Sequence, residues 1–432
     1  MDTRLIAVVL VIVVAIPLFS GCLEDDSSRN EPPFIEILYP YDGTTVSNLV
    51  MISGTASDPD GDDDLVQVEV QIDSDNWTIA QGTDQWSYDW ITYRLNDGPY
   101  TIRARAWDGK DYSPVVEITV VLDNPETVTS DVHRWALFVA VANFPEDNES
   151  KLGNGGLFLS EEMATYFIQE YGYATSNIIL LFDDGWIRAD GGYGERMQTL
   201  QQRYREYNIV YGGATRGTVE ASIAHIVEEA NQYEDSEVFM WFFSHGCGDN
   251  TKTYTGGKLL ERSAVFLWDD ILTDKELGDM LSDLQSTKTC VIVDACFSGG
   301  FSDKTILDFP TLFLLRSGIP QSGRVVMSGA SKFRVGYAST TQGPLFTLQW
   351  FEGLQTGNAD GYRPGIRKTG RPTRLQLFKD GKVSVEEAFY YARYTLKHRE
   401  DFKEYNTMEP QITDYYPRRG PLRSLGGLIL GQ

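Results

Sequence analysis

Two apolar runs constrain this chain more than any other feature: Val238-Phe239-Met240-Trp241-Phe242-Phe243 and Thr289-Cys290-Val291-Ile292-Val293. A strand with one wet face alternates polar and apolar residues. A strand that is apolar throughout is buried on both faces, as in a parallel sheet covered by helices on each side. Each run ends abruptly in polar and small residues. The first gives way to Ser244-His245-Gly246, and the second to Asp294-Ala295-Cys296-Phe297-Ser298-Gly299-Gly300. Open α/β sheets carry their chemistry at the C-terminal ends of their strands. A histidine and a cysteine far apart in sequence are therefore expected to meet across one sheet edge, the layout of a thiol nucleophile and its base.

The surrounding pattern agrees with that layout. Helical periodicity over Leu159–Tyr171 and Thr218–Gln232 alternates with strand-like runs at Ala136–Ala142, Asn177–Phe182 and Arg324–Ala330, and Phe346–Leu354 reads as a last covering helix. The expected fold class is α/β, a largely parallel sheet covered by helices. Gly246 permits a sharp turn after the histidine, and the backbone N–H groups of Gly246 and Cys296 are the expected oxyanion hole. The bland alternative makes His245 a capping or core residue and Cys296 an inert buried thiol.

These strings resemble the caspase-like superfamily of cysteine peptidases, whose signatures are one hydrophobic strand ending in His-Gly and another ending in Asp/Glu-x-Cys-x-Ser-Gly. Within it the chain is most similar to the legumain type, through Asn177–Asp184 and Phe266–Leu277. The resemblance covers residues 134–350 and implies peptide hydrolysis through a thioester. By the same resemblance Asn143 orients the histidine, and Ser328, Gly329 and Ala330 line the specificity pocket. Metacaspase-like enzymes use the Asp two residues before the cysteine, here Asp294, to hold a basic substrate residue, whereas the legumain likeness points to Asn. An Asp294 that braces the cysteine loop by accepting backbone N–H bonds is the competing reading. Phe297 and Ser160-Glu161-Glu162 depart from the family patterns, and Trp186–Gly213 reads as a surface insertion. Transamidation on the same fold and a non-catalytic surface binding protein are the alternative functions.

The rest of the chain bounds the setting. A formal net charge of −25 in 432 residues excludes a phosphate-binding surface, so no nucleic-acid partner is expected; the expected partners are protein or peptide substrates and a membrane. Residues 1–22 read as a signal peptide: Asp2-Thr3-Arg4, the apolar run Leu5–Phe19, then Ser20-Gly21-Cys22, which resembles a lipoprotein box with Cys22 as the lipidated residue. An uncleaved anchor is the alternative, and both place the chain on the outer side of the cytoplasmic membrane. Residues 23–33 form a tether. Residues 34–123 carry seven strand-like runs broken by Asp-Pro-Asp-Gly and Asn-Asp-Gly turns, which suggests an immunoglobulin-like sandwich. A linker over 124–133 leads to the domain expected at 134–356, and 357–432 is the expected C-terminal extension. There Asp380, Ser384 and Glu387 resemble half of an EF-hand, although Ser384 and Glu387 also make a capping box. With the acidic turn at Asp58–Asp64, this is the only hint of calcium. No cofactor or resident metal is otherwise expected.

Overall fold

The computed structural model describes residues 30–124, 132–143, 151–203, 206–249, 257–364, 378–405, 407–418 and 427–432. The lipobox cysteine, Cys22, and most of the linker lie outside these residues.

The N-terminal domain is a β-sandwich of eight strands: β1 (Phe34–Tyr39), β2 (Thr45–Val46), β3 (Leu49–Ser57), β4 (Gln67–Ile72), β5 (Thr78–Ile79), β6 (Gln85–Ile91), β7 (Gly98–Trp107) and β8 (Val116–Leu122). One sheet has the order β1-β3-β6 and the other β2-β8-β7-β4-β5. Val50, Ile52, Trp86 and Trp90 of the first close on Val68, Val70, Ile102, Ala104 and Val120 of the second. The seven expected strands are all present. The eighth, β2, is a two-residue pairing too short to leave a periodicity.

The second domain holds β9 (Arg134–Ala140), α1 (Gly155–Tyr171), β10 (Ile178–Phe182), β11 (Trp186–Arg188), β12 (Arg196–Thr199), β13 (Val210–Gly212), α2 (Arg216–Ala230) and β14 (Glu237–Phe243). It continues with β15 (Gly246–Gly248), β16 (Ser263–Phe266), β17 (Ile271–Thr273), α3 (Asp274–Met280), β18 (Lys288–Asp294), β19 (Arg324–Ser328), β20 (Ala338–Ser339) and β21 (Gly343–Pro344). The last elements are α4 (Leu345–Thr356), α5 (Val385–His398) and β22 (Gln411–Asp414). The main sheet has the order β13-β10-β9-β14-β18-β19-β22 and is parallel except for β22.

The unbroken apolar runs now have a cause. Along β14, Phe239, Trp241 and Phe243 enter the core under α1, α4 and α5, while Val238, Met240 and Phe242 enter the core under α2 and α3. With a side-chain period of two and both faces covered, no position on such a strand meets water.

Two boundaries differ from expectation. The stretch after residue 356 is no appendage: α5 buries Val385, Ala388, Phe389 and Leu396 in the first core, and β22 is the seventh strand of the sheet. The stretch Trp186–Gly213 is not merely a surface insertion, because it supplies the edge strand β13 and the buried residues Trp186, Ile187 and Arg188. Polarity along that segment hid its role, since Arg188 and Arg196 face the buried Asp184 carboxylate rather than water.

Candidate active site

Strands β14 and β18 pair in parallel with Phe243 opposite Asp294. The chain therefore leaves the sheet from two adjacent strand ends in step, with His245 and Cys296 each two residues beyond the last pair. Both are half-buried, while Ser244, Gly246, Ala295 and Ser298 beside them are buried. The backbones touch. A Cβ on Gly246 would lie 1.9 Å from the Cys296 carbonyl oxygen and 3.1 Å from its nitrogen, so only glycine allows the histidine loop this close.

Three backbone N–H groups converge on the thiol. Gly336 donates to Cys296 Sγ at 3.3 Å, and Gly246 and Cys296 itself also donate toward it. Burial raises the Cys296 pKa above the ordinary thiol value, the Gly336 N–H pulls it back, Asp294 raises it, and the Gly246 N–H lowers it again. The net direction is upward. The thiol proton faces the Gly336 carbonyl, at 3.7 Å. Gly336 carries no sequence signal, because it acts through its main chain from a loop without a motif.

The turn behind the cysteine is held open by neighbours. Phe297 has φ 57° and ψ 20°, a left-handed conformation disfavoured for a bulky residue. Buried Ser263 of β16 donates to the Phe297 carbonyl and accepts from the Gly300 N–H at 3.0 Å. Phe297 N–H in turn donates to the Arg334 carbonyl at 2.8 Å.

Asn143 stands three residues beyond Ala140, which pairs with Phe243. It is buried, and its Nδ2 donates to Asp183 Oδ2 at 2.6 Å. Asp183 Oδ1 also accepts the N–H groups of Ala142 (2.7 Å) and Asn143 (3.1 Å). The Asn143 amide is thereby fixed with its nitrogen toward Asp183, and its Oδ1 is a buried acceptor with no hydrogen-bond partner among the described residues. Burial pushes the Asp183 carboxyl up to about 6, against the pull of Arg188 and Asn143. The neighbouring Asp184 is ion-paired to Arg188 at 3.1 Å and Arg196 at 2.6 Å; burial opposes its charge, but the two guanidinium groups win and hold its pKa below the usual range.

The four expected pocket residues are all buried around the cysteine loop. Asp294 is 1% exposed, and its Oδ2 accepts both the N–H (2.9 Å) and the hydroxyl (2.8 Å) of Thr347 in the first turn of α4. A carboxylate at a helix N-terminus is held by donors and dipole alike, so Asp294 Oδ2 braces the start of α4. Ser328 is buried and its hydroxyl donates to Ser298 O at 2.9 Å. Gly329 N–H donates to Val293 O, and Ala330 N–H to Ser298 Oγ at 3.3 Å. These residues back the cysteine loop from beneath. Further along the chain Arg334 and Val335 are exposed, with Arg334 paired to Glu409 at 3.8 Å.

Neither calcium hint gains ligands. Ser384 and Glu387 form the reciprocal cap of α5, and Asp58 and Asp62 accept N–H bonds within their own turn. Among the described residues no three His, Cys, Asp or Glu side chains converge as a metal-binding group.

Comparison with known proteins identifies the first domain: the bacterial Ig domain family matches residues 33–104. No curated protein matches the chain. Among solved structures, the chain is similar to the endo-beta-1,4-mannanase from Thermotoga petrophila (14% identity, 23% of this chain, 22% of that one, TM-score 0.20). It is also similar to the fibronectin(III)-like modules of Clostridium thermocellum CbhA (20% identity, 22% of this chain, 47% of that one, TM-score 0.19). Caspase-1 from Spodoptera frugiperda aligns over 65% of this chain and 86% of its own, at 10% identity and a TM-score of 0.36. The chain thus joins an Ig-like β domain to a largely parallel seven-stranded α/β domain.

Proposed function

We propose that this protein is a surface-anchored cysteine endopeptidase of the caspase-like superfamily, nearest the legumain type. The observation that carries the reading is the register of β14 on β18, which brings the ends bearing His245 and Cys296 side by side with the Gly246 backbone against the cysteine.

His245 removes the Cys296 proton, and the sulfur attacks the scissile carbonyl. The S–C bond forms as the C=O π electrons move to oxygen, and the N–H groups of Gly246 and Cys296 stabilise the resulting oxyanion. The C–N bond then breaks, with the His245 proton going to the departing amine. Water, deprotonated by the same imidazole, hydrolyses the thioester and returns the thiol. Asn143, held by Asp183, offers Oδ1 to an imidazole N–H and fixes its tautomer. No cofactor takes part. The anchor is lipid on Cys22.

Cys296→Ala and His245→Ala are each expected to abolish hydrolysis of a mixed peptide library with circular dichroism unchanged, and Asn143→Ala to cost less. Full activity in folded Cys296→Ala would sink this reading.

A further inference from the structure

The Ig-like domain would be a tethered docking module if its outer face met water. That face is instead buried. On β3 the residues Val50 and Ile52 fill the sandwich core, yet Leu49, Met51 and Ser53, which point the other way, are 5%, 0% and 0% exposed. Leu49 belongs to the hydrophobic core of the α/β domain. Across from them on β6, in register, lie Asp89 opposite Met51 and Ser87 opposite Ser53.

The contact is glycine-fitted. Met51 Sδ lies 1.9 Å from where a Gly185 Cβ would be, Leu49 Cδ2 2.3 Å from that of Gly212, and Asp89 Oδ2 2.6 Å from that of Gly213. Hydrogen bonds fix the register: Ser87 Oγ donates to Asp184 O at 3.1 Å, Gly213 N–H to Asp89 Oδ1 at 3.1 Å, and Arg196 Nη1 to Gln85 O at 2.7 Å. All of these partners surround the turn Asp183-Asp184-Gly185. Asp183, whose φ is 43°, holds Asn143 in place, and its carbonyl accepts the Ala214 N–H at 2.6 Å.

We infer that the Ig-like domain is a fixed part of the catalytic unit, and that its β3–β6 face positions Asn143, and through it His245, by clamping the Asp183–Gly185 turn. The inference rests on the peptidase reading for its catalytic half; the docking half does not. Leu49, Met51, Ser87 and Asp89 are positioning residues.

The test uses the full chain. Gly212→Val drives a branched side chain into the space of Leu49, and Leu49→Ala in the same chain reopens it. Calorimetry of the parent is expected to show one transition spanning both domains. Gly212→Val should split off the Ig-like transition and lower kcat by about 10–100-fold with a much smaller change in KM, the cost of a misplaced catalytic group. The double variant should recover most of kcat. Should Gly212→Val not fold, Ser87→Arg is the second wedge, since Ser87 points away from the sandwich core. Two independent transitions in the parent, or unchanged kcat in a variant whose domains have separated, would overturn the inference. A parent chain that hydrolyses nothing but unfolds in one transition would overturn the peptidase reading and the catalytic half with it, leaving the docking intact.

Discussion

Adding one methyl group at Gly246 tests whether the site depends on the contact between its two loops. In Gly246→Ala the new Cβ would begin 1.9 Å from the Cys296 carbonyl oxygen and 2.9 Å from its carbon. Carbon and oxygen approach to about 3.3 Å at best, so the two loops must part by about 1 Å or more. Neither side of the contact is a flexible side-chain end. Cys296 is tied through Phe297 and Gly300 to Ser263, and the next residue of the histidine loop, Cys247, pairs with Ala264. The strain therefore falls on the relative position of sulfur and imidazole. A misplacement of about 1 Å costs about 100-fold in rate, equivalent to about 2.7 kcal/mol of transition-state stabilisation. Overpacking would cost about 1–3 kcal/mol of stability, which a domain of this size tolerates. The control is Gly217→Ala in the first turn of α2, where a Cβ meets nothing within 4 Å. There alanine should leave the rate unchanged and raise stability slightly. Steady-state hydrolysis, thermal melting and iodoacetamide labelling of Cys296 are measured on both variants. Gly246→Ala with a rate within about threefold of the parent would refute the argument that this close approach sets the catalytic geometry.

Stability should be greatest at mildly acidic pH. Burial raises Asp183, Asp274 and Asp294 to about 6 and Asp89 to about 7, the last with Asp184 and Asp269 adding to burial. Acids with raised folded pKa values bind protons more tightly when folded, so their stabilisation is complete near pH 4 and lost as pH rises through 6 to 7. His225, pushed down to about 4 by burial, partly offsets them over the same range, because its contribution is lost as pH falls from 6.5 towards 4; Glu276, at about 2, withdraws stability only below about pH 4.5. Tm should fall between pH 5.5 and pH 8; a rise over that range would contradict the burial of these carboxyls. At the N-terminus, the parent protein should partition into detergent and Cys22→Ser should not, and a mature N-terminus beginning at Met1 would rule out lipidation.

The sheet, and the adjacency of the two strand ends that carry His245 and Cys296, were legible because burial on both faces leaves a continuous apolar run that stops where the chain turns. The same logic was available for the Ig-like domain. Leu49-Val50-Met51-Ile52 is apolar on both faces, which a sandwich strand with one wet face is not. Its partner strand gave no such sign, since Gln85, Ser87 and Asp89 are polar and read as solvent-facing. The contacts of Asp294 were hidden for a related reason. A strand-end sequence locates Asp294 but not the direction its carboxylate takes, and the donor that claims it, Thr347, belongs to a helix more than fifty residues later. The Gly336 N–H left no trace because the donor is main chain and common to every residue but proline.

Three carboxylates surround the sheet edge without contacting the sulfur, and their chemistry explains why they are acids. Asp183 accepts from Ala142 N–H, Asn143 N–H, Asn143 Nδ2 and Arg188 Nη1. Asp294 accepts from Thr347 N–H and Oγ1, and Asp274 from Ser263 N–H and Arg262 Nη1. Every one of these partners is a donor. An amide in the same place would turn an NH2 group toward some of them and leave donors facing donors in a buried site, at about 1–3 kcal/mol each. A carboxylate has acceptor sites only, so it can gather a loop N–H, a side-chain donor and a guanidinium at once. The loops carrying Asn143 and Cys296, and the helix start beside them, are each held in this way. Such a frame is rigid where the proposed reaction needs fixed atoms, and it leaves proton transfer to His245, the half-buried imidazole that emerges beside the cysteine.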